Sequence, residues 1–408
     1  MMRIVCYISV LIISFNISAQ AVLRICSYNL LNFPNSQGTE RIEYFVTVLD
    51  SISPDILVCQ EMMSSAGADQ FLQGVLDAAI WVRADYVTIG DSDAMLYFKP
   101  DQFELLDIHT IETDLRNFEV YELNYIAGDL RPLVYIATTH LKASQGTVEE
   151  QRRLSEVLDF IAWIDANDLR DSNLLLCGDL NFYYSAEPGY QALLADSLFI
   201  DPIDTPGYWH NSSQYADVHT QSPRITQFGG GAPGGMDDRF DFALATPLWI
   251  DGDEWEYQEG SYTSFGNDGQ HFNGAINTMP NYAVSEEVAN ALHEASDHLP
   301  VFIDIDYTAS GIELTSPVNL TDGFSLSLFP AVFNSQATLL LNLPAADNVN
   351  VTVYNITGRQ ITMLADGRFS RGSHRINFNA SGLPGGIYFI QVATSGNVYE
   401  VLKAVLLK

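Results

Sequence analysis

The feature that most constrains this chain is a series of short apolar segments that each end in a polar residue. Residues 174–177 are Leu, Leu, Leu and Cys, a run typical of a strand buried on both faces. Gly178 interrupts the run, and Asp179 and Asn181 follow it. Because side chains alternate along a strand, we expect these two polar side chains to point the same way. Taken alone, the pair is more typical of an Asx-turn that closes a strand.

The same arrangement recurs along the chain. Residues 22–31 and 55–61 are each patterned as a strand, and residues 40–50 between them have apolar residues at helical spacing. Strand, helix and strand form a crossover unit, which places the polar ends of both strands at one edge of a sheet. The polar residues at predicted strand ends are Asn29, Glu61, His140, Asp179, Asn181, Asp241, Asp297 and His298. Since an α/β or sandwich architecture gathers strand ends, we expect all of them to converge.

The segments between these positions are less regular. Further strands are predicted over residues 93–98, 131–141, 239–244 and 299–307. An amphipathic helix is predicted over residues 148–164, and the polar residues 262–290 are predicted to be irregular. Residues 200–236 are rich in Gly, Pro, Ser and Asn, which indicates a long loop of the kind that is usually functional or mobile. Its candidates for substrate contact are Tyr208, Trp209, His210 and His219.

The residue types at the strand ends suit hydrolysis of a phosphoester. The oxygen ligands of Glu61, Asn29 and Asp297 suit a hard cation such as Mg²⁺ or Mn²⁺. A histidine with a carboxylate partner suits a general base that activates water. A second histidine and a carboxamide suit stabilisation of charge on the phosphoryl oxygens.

The net charge of −32 is unevenly distributed. Residues 323–408 hold 6 of the 19 basic residues but only 3 of the 51 acidic residues. The remaining body is therefore strongly acidic, which disfavours tight binding of polyanions, most of all at low salt. Charged residues make up 17% of the chain and hydrophobic residues 47%, so we expect a folded protein.

The N-terminus has the pattern of a secretory signal peptide. Arg3 precedes an apolar stretch over residues 4–15, and Ser18, Ala19 and Gln20 are typical of a cleavage site. The stretch is too short to span a bilayer, and no other segment is long and apolar enough to do so. We therefore expect a soluble mature protein without a transmembrane segment.

Four cysteines are present, of which Cys6 falls within the predicted signal peptide. Cys26, Cys59 and Cys177 each lie inside a predicted apolar strand, which indicates small buried core residues. An odd number of cysteines in an exported protein leaves at least one free thiol, and no spacing is typical of a zinc site.

Six short motifs carry a family resemblance: SYNLLNF, CQE, TTHL, GDLNF, RFDFAL and SDH, in this order within residues 24–307. The ordered set resembles the endonuclease/exonuclease/phosphatase superfamily, the family of pancreatic deoxyribonuclease, exonuclease III and bacterial sphingomyelinases. The resemblance implies a four-layer α/β/β/α sandwich, with two sheets packed face to face and helices outside. From the residues alone, a doubly wound sheet is an equal alternative.

The resemblance also implies the metal site and the base. Glu61 is implied to be the principal metal ligand, helped by Asn29 and by Asp297 directly or through water. His298 is implied to be the general base, and Asp241 to orient it and to stabilise its protonated form.

The remaining site residues are implied to handle the phosphate. Asp179 and Asn181 are implied to position the phosphate and the attacking water, or to hold a second divalent cation as in some members. His140 matches the second histidine of the deoxyribonuclease and sphingomyelinase branches. Arg239 is expected to form a structural ion pair.

The C-terminal part differs in composition from the rest. Residues 323–408 alternate as short strands with Gly and Asn at the turns. The pattern VYNITGRQI, GIYFIQV and LKAVLLK is similar to the C-terminal sorting domains of the type IX secretion system of Bacteroidetes, although LFPAVFNS only partly matches the usual opening motif. An ordinary immunoglobulin-like accessory domain is the alternative.

We therefore expect a signal peptide over residues 1–19, an α/β catalytic domain over 20–308, a linker over 309–322 and an all-β, immunoglobulin-like sorting domain over 323–408. The type IX secretion machinery is the expected partner of the sorting domain, and the protein is expected to be monomeric and secreted or attached to the outer cell surface.

The expected activity is that of a metal-dependent phosphodiesterase, and an extracellular endonuclease acting on nucleic acid is favoured. A sphingomyelinase or phospholipase is one alternative, for which Tyr208 and Trp209 are the candidates for membrane contact. A phosphomonoesterase is another. A non-catalytic adhesive protein is a further alternative, and its mark would be a missing catalytic position.

Overall fold

The computed structural model describes residues 20–88, 93–127, 132–250, 252, 255–308, 325–329, 332–343, 345–355, 359–394 and 399–407. The predicted signal peptide and the predicted linker lie outside the described residues. The chain divides into two units, Met1–Gly311 and Ile312–Lys408. Within the described part of the chain, no helix has the length and apolar character needed to cross a membrane.

The first unit is built from short strands and helices in alternation. Its strands are β1 (Gln20–Phe33), β2 (Ile56–Met62), β3 (Val82–Arg83), β4 (Asp93–Phe98), β5 (Phe103–Ile111), β6 (Phe118–Tyr125), β7 (Leu133–His140), β8 (Leu174–Asp179), β9 (Asp241–Ala245), β10 (Trp255–Tyr257), β11 (Thr263–Ser264) and β12 (Val301–Thr308). Its helices are α1 (Ile42–Ile52), α2 (Ser65–Gly74), α3 (Thr147–Ala166), α4 (Pro188–Leu194), α5 (Pro247–Ile250) and α6 (Glu286–Ala295). Short 3₁₀ helices cover Gly38–Arg41, Ala195–Ser197 and Ser213–Val218.

Helix α6 begins inside the stretch 262–290 that was predicted to be irregular. The side chain of Ser285 accepts a hydrogen bond from the backbone N–H of Val288 and caps the helix, and two glutamates in the first turn complement its dipole. Leu292 lies on its buried face. The prediction failed here because the cap and the apolar face lie at the very end of a polar stretch.

The strands form two mixed sheets in the first unit. The first sheet has the order β10-β12-β1-β2-β4-β3, with β11 also paired to β12, and the second has the order β5-β6-β7-β8-β9. Strands β1 and β2 run parallel, as do β7 and β8, whereas the other neighbouring pairs in these two sheets are antiparallel. This topology differs from that of a doubly wound parallel sheet.

The two sheets pack into a four-layer sandwich. One core cluster joins both sheets with α1 and α6, and it includes Leu175 and Cys177 of β8. A second cluster joins the other face of the second sheet to α3 and α4, and it includes Leu174 and Leu176. Strand β8 is therefore buried on both faces, as its uninterrupted apolar run predicted. The predicted α/β/β/α architecture is confirmed.

The register of the strands brings the polar strand ends to one edge of the sandwich. Asn29 of β1 pairs with Gln60 of β2, so Glu61 is the next residue along that edge. In the second sheet, His140 of β7 pairs with Asp179 of β8, which in turn pairs with Asp241 of β9.

The second unit is an all-β domain. Its strands are β13 (Ser325–Phe329), β14 (Val332–Phe333), β15 (Gln336–Leu343), β16 (Asp347–Asn355), β17 (Gln360–Phe369), β18 (Gly372–Asn379), β19 (Gly386–Thr394) and β20 (Tyr399–Leu406). They form one sheet of order β13-β15-β18 and another of order β14-β20-β19-β16-β17. Buried residues such as Leu339, Val351 and Ile390 form a core cluster of its own, so the predicted all-β region is confirmed.

Cys26, Cys59 and Cys177 are buried and free, as predicted. Burial raises the pKa of all three thiols, and it raises that of Cys177 to about 12. Because the thiolate is the reactive form, these side chains are inert core residues.

Candidate active site

The eight predicted site residues lie together at this edge of the sandwich. Those that line a pocket of about 290 Å³ are Glu61, His140, Asp179, Asn181, Asp297 and His298. The two others lie behind them, because Asn29 bonds to Glu61 and Asp179, and Asp241 bonds to His298. The described lining residues include three carboxylates and no lysine or arginine.

Asp179 occupies the centre of the site. Its Oδ2 atom lies 3.4 Å from Nε2 of His140 and 3.5 Å from Nε2 of His298. Its Oδ1 atom accepts a hydrogen bond of 2.8 Å from Nδ2 of Asn181, so the two side chains do face each other as predicted. Burial raises the pKa of the Asp179 carboxyl well above its usual range. A buried carboxylate between two imidazoles therefore needs positive charge nearby to stay ionised.

His298 forms a buried pair with Asp241. The Nδ1 atom of His298 lies 2.7 Å from Oδ2 of Asp241, so Nδ1 carries the proton and Nε2 is directed toward the pocket. Burial lowers the pKa of His298, but the carboxylates of Asp241 and Asp179 outweigh it, and the pKa is raised well above its usual value. This is the pairing that a general base requires.

Gln221 is a site residue that the sequence did not reveal. Its Nε2 atom lies 2.6 Å from Nε2 of His298, and it lines the same pocket. It lies within the stretch 200–236, where no periodic pattern could place it and no local sequence signal marks it.

Glu61 and Asn29 are held together by the ends of the two parallel strands. Glu61 has a left-handed backbone (φ 61°), and its Oε2 atom accepts a hydrogen bond from the backbone N–H of Asn32 at 2.9 Å. Oδ1 of Asn29 accepts from the N–H of Leu31, which leaves Nδ2 to donate to Glu61 and to Asp179, at 3.1 Å each. In this orientation Asn29 offers the site a donor, whereas the predicted ligand role needs an oxygen.

The glycine-rich end of the long loop closes over Asp297. The backbone N–H of Ala232 donates to Oδ2 of Asp297 at 2.6 Å. A Cβ atom at Gly231 would lie 2.6 Å from the same oxygen, so only glycine allows this approach. Oδ1 of Asp297 is buried and has no hydrogen-bond partner among the described residues. The loop therefore forms one wall of the pocket and leaves a carboxylate oxygen available to a ligand.

The four loop candidates for substrate contact separate into two pairs. Trp209 is fully buried in the second core cluster. His219 is also fully buried, and its ring nitrogens contact the backbone oxygens of Trp209 and Met236. The prediction was wrong for these two residues because they hold the loop onto the core. Tyr208 and His210 remain accessible, and Tyr208 is 53% exposed.

Arg239 forms a structural ion pair, as expected. It is fully buried, and its guanidinium donates to both carboxylate oxygens of Asp201 at 2.8 and 2.9 Å. Its backbone leads directly into β9, so the pair anchors the strand that begins with Asp241.

The donor set of the pocket fits a hard divalent cation. The carboxylates of Glu61, Asp179 and Asp297 face one space, and the unpartnered oxygen of Asp297 is the kind of buried atom that a cation satisfies. Beside this pocket, His210, Asp237 and Asp238 place ligand atoms within 4.8 Å of one another. Burial raises the pKa of Asp238 to about 6, and its Oδ1 atom lies 2.6 Å from Nδ1 of His210.

A four-layer sandwich with two histidines and several carboxylates at one edge of its sheets defines a phosphoester hydrolase. Residues 14–298 match the family model described as Endonuclease/Exonuclease/phosphatase family. The chain belongs to that family, as the motifs implied. The alternative of a non-catalytic adhesive protein is therefore wrong.

Residues 327–406 match the secretion system C-terminal sorting domain. The C-terminal domain thus directs export through the type IX secretion system, and the protein is secreted or attached to the outer cell surface. The predicted localisation is confirmed.

Three solved structures illustrate the likeness in fold. An endonuclease/exonuclease/phosphatase family protein from Bacteroides thetaiotaomicron is 14% identical, with 71% of this chain and 98% of that chain covered and a TM-score of 0.46. D. rerio TDP2, complexed with single strand DNA product, is 16% identical, with 70% and 99% covered and a TM-score of 0.49. A mannosyl-6-phosphatase from Bacteroides thetaiotaomicron is 14% identical, with 69% and 99% covered and a TM-score of 0.46. No curated protein sequence matches the chain.

Proposed function

We propose that this protein is an extracellular, divalent-metal-dependent phosphodiesterase that cleaves nucleic acid at internal positions. The observation that carries the proposal is the position of Asp179 between the Nε2 atoms of His140 and His298, at 3.4 and 3.5 Å. Hydrolysis of a diester needs one group that takes a proton from water and another that gives a proton to the leaving oxygen. Two imidazoles directed toward one position supply both.

Glu61 and Asp297 are the ligands we assign to the cation, with Mg²⁺ or Mn²⁺ as the ions that suit them. The bound cation would neutralise charge on the phosphoryl oxygens. We assign Asn29 to holding Glu61 in place through its amide nitrogen, which donates to Glu61 at 3.1 Å.

His298 is assigned as the base. Its Nε2 atom accepts the proton of the attacking water, and Asp241, 2.7 Å from Nδ1, stabilises the imidazolium that forms. The neighbouring carboxylates raise the pKa of His298, which favours the protonated form. A cation close to Asp179 and Asp297 opposes this effect and restores a neutral imidazole that can accept a proton.

His140 is assigned to the leaving group, and Asn181 and Asp179 to the placement of phosphate and water. His140 lies on the opposite side of Asp179 from His298, where it can donate a proton to the departing alkoxide. Asn181 is held at 2.8 Å from Asp179, so its position is set before substrate binds.

Charge and burial favour a nucleic-acid diester over the rival substrates. A phosphomonoester carries more negative charge than a diester, and the described pocket lining has three carboxylates with no lysine or arginine. For a lipid substrate, Trp209 was one of two candidates for membrane contact, and it is fully buried.

Circular DNA substrates test the proposal, because only an endonuclease cleaves a strand that has no end. The full chain and its His298→Ala variant would be incubated with circular single-stranded DNA and with supercoiled plasmid, in Mg²⁺ and in excess chelator. We expect cleavage by the unmodified chain only, and only with metal. No cleavage of either circle would overturn the endonuclease assignment, and the same proteins would then be tested on sphingomyelin and on sugar phosphates.

A further inference from the structure

A row of aromatic rings leads from the active-site pocket toward the surface. Phe240 and Tyr183 line the pocket, with ring centroids 4.9 Å apart. Tyr183 lies 5.3 Å from His210, which lies 6.3 Å from Tyr208. Tyr208 in turn stacks on Tyr184 at 5.5 Å, with an angle of 14° between the rings. We refer to these five residues as the aromatic row.

The outer end of the row is held rigidly although it is exposed. The backbones of Tyr184 and Tyr208 pair with each other, and the N–H of Ser185 donates to the carbonyl of Gly207 at 2.8 Å. The next residue, Trp209, is fully buried and anchors the segment in the core. Tyr208 is nevertheless 53% exposed, so one side of its ring is covered by Tyr184 and the other is open to solvent.

An open aromatic ring beside this pocket can supply binding energy that charge does not. The described pocket lining lacks lysine and arginine, and the chain as a whole has a net charge of −32. Neutralisation of phosphates, which provides most of the affinity in ordinary nucleic-acid complexes, is therefore weak here. Stacking of a base on an aromatic ring does not depend on charge and accepts every base.

We propose that the aromatic row stacks an unpaired base of the substrate next to the scissile phosphate, with Tyr208 as the exposed platform. The inference rests on the proposed nuclease function and narrows its substrate to single-stranded nucleic acid. Bases inside a duplex already stack on each other, and a free face is obtained only by unpairing them. Single strands are therefore cleaved faster than duplexes, and salt affects the rate only weakly.

The test compares two oligonucleotides of equal length with the full chain. One carries ordinary bases, and the other has tetrahydrofuran units that lack bases around the cleavage position. For the unmodified chain we expect kcat/KM to be roughly 5- to 150-fold higher on the substrate with bases, the range expected for stacking of one base. Tyr208→Ala should bring this ratio close to one, Tyr208→Phe should retain it, and Tyr282→Ala, which removes a tyrosine that is 78% exposed and does not line the pocket, should leave it unchanged.

The possible outcomes separate this inference from the function on which it rests. Equal kcat/KM on the two oligonucleotides, with no effect of Tyr208→Ala on the ratio, would overturn the stacking role and leave the nuclease function intact. Loss of activity on both substrates to the same extent in Tyr208→Ala would assign the row to the sugar backbone and would also overturn base stacking. No cleavage of either oligonucleotide by the unmodified chain would refute both proposals.

Discussion

The Nδ1 atom of His298 lies 2.7 Å from Oδ2 of Asp241, although the two residues belong to different sheets of the sandwich. Asp241 is the first residue of β9 in the second sheet, and His298 precedes β12 in the first. The pair is fully formed only when the two sheets are packed against each other. Catalytic competence is therefore linked directly to the packing of the core between the sheets.

Replacement of His298 by alanine removes the proposed base. We expect kcat to fall by a factor of roughly 10² to 10⁴, the usual contribution of a positioned general base, whereas KM changes little. Initial rates at saturating substrate and Mg²⁺ would measure the effect. His109→Ala is the matched control, because His109 contacts Glu122 on β5 and β6, outside the pocket. A kcat within a factor of three of that of the unmodified chain would remove His298 from the mechanism.

Replacement of Glu61 by glutamine removes a charged ligand but keeps the shape of the side chain. We expect the concentration of Mg²⁺ that gives half-maximal activity to rise at least roughly tenfold, since the carboxylate is the stronger ligand for a hard cation. Isothermal titration with Mn²⁺ would give a second measurement that does not depend on turnover. The exposed residue Glu43 provides the control variant Glu43→Gln. An unchanged metal titration would contradict the ligand role.

Gly178 is required for the path of β8 into the site. Its φ is 152°, and a Cβ atom there would lie 2.3 Å from the backbone oxygen of Thr139. Gly178→Ala should therefore lower the free energy of unfolding of the first unit by roughly 1–3 kcal/mol and displace Asp179, with loss of activity. Denaturant unfolding and rate measurements would test this, with Gly382→Ala as a control because a Cβ atom at Gly382 would meet nothing within 4 Å. Normal stability and activity would show that the strand can shift without cost.

Glu119 makes the stability of the first unit depend on pH. Burial raises the pKa of its carboxyl from 4.5 to about 7, although Tyr121 donates a hydrogen bond to it at 2.5 Å. The folded state thus holds a proton that the unfolded state releases between pH 4.5 and 7, so the contribution of Glu119 to stability falls as the pH rises through this window.

The variant Glu119→Gln should be as stable as the unmodified chain near pH 4 and more stable above pH 7, by up to about 3 kcal/mol. Urea unfolding of both proteins at a series of pH values would measure the difference, and the exposed Glu43→Gln would show no such trend. A stability difference that is independent of pH would contradict the raised pKa.

Much of the fold was predictable because its signals are local. The apolar run of residues 174–177 indicated a doubly buried strand, and the helical spacing of residues 40–50 indicated a crossover next to it. The ordered motifs then selected the four-layer sandwich from two possible architectures. Trp209 and His219 were misjudged because a loop sequence does not show which of its aromatic residues anchor it in the core.

The sequence by itself determined which residue types end the strands, the α/β pattern that gathers those ends, and the C-terminal sorting domain, because each depends on short-range spacing along the chain. Only the tertiary structure decided that Gln221 contacts His298, that Asn29 presents its amide nitrogen to Glu61, and that the aromatic row reaches the pocket. These features depend on side-chain orientation and on contacts between distant segments. Such contacts arise from the packing of two sheets and a long loop, for which no local pattern carries information.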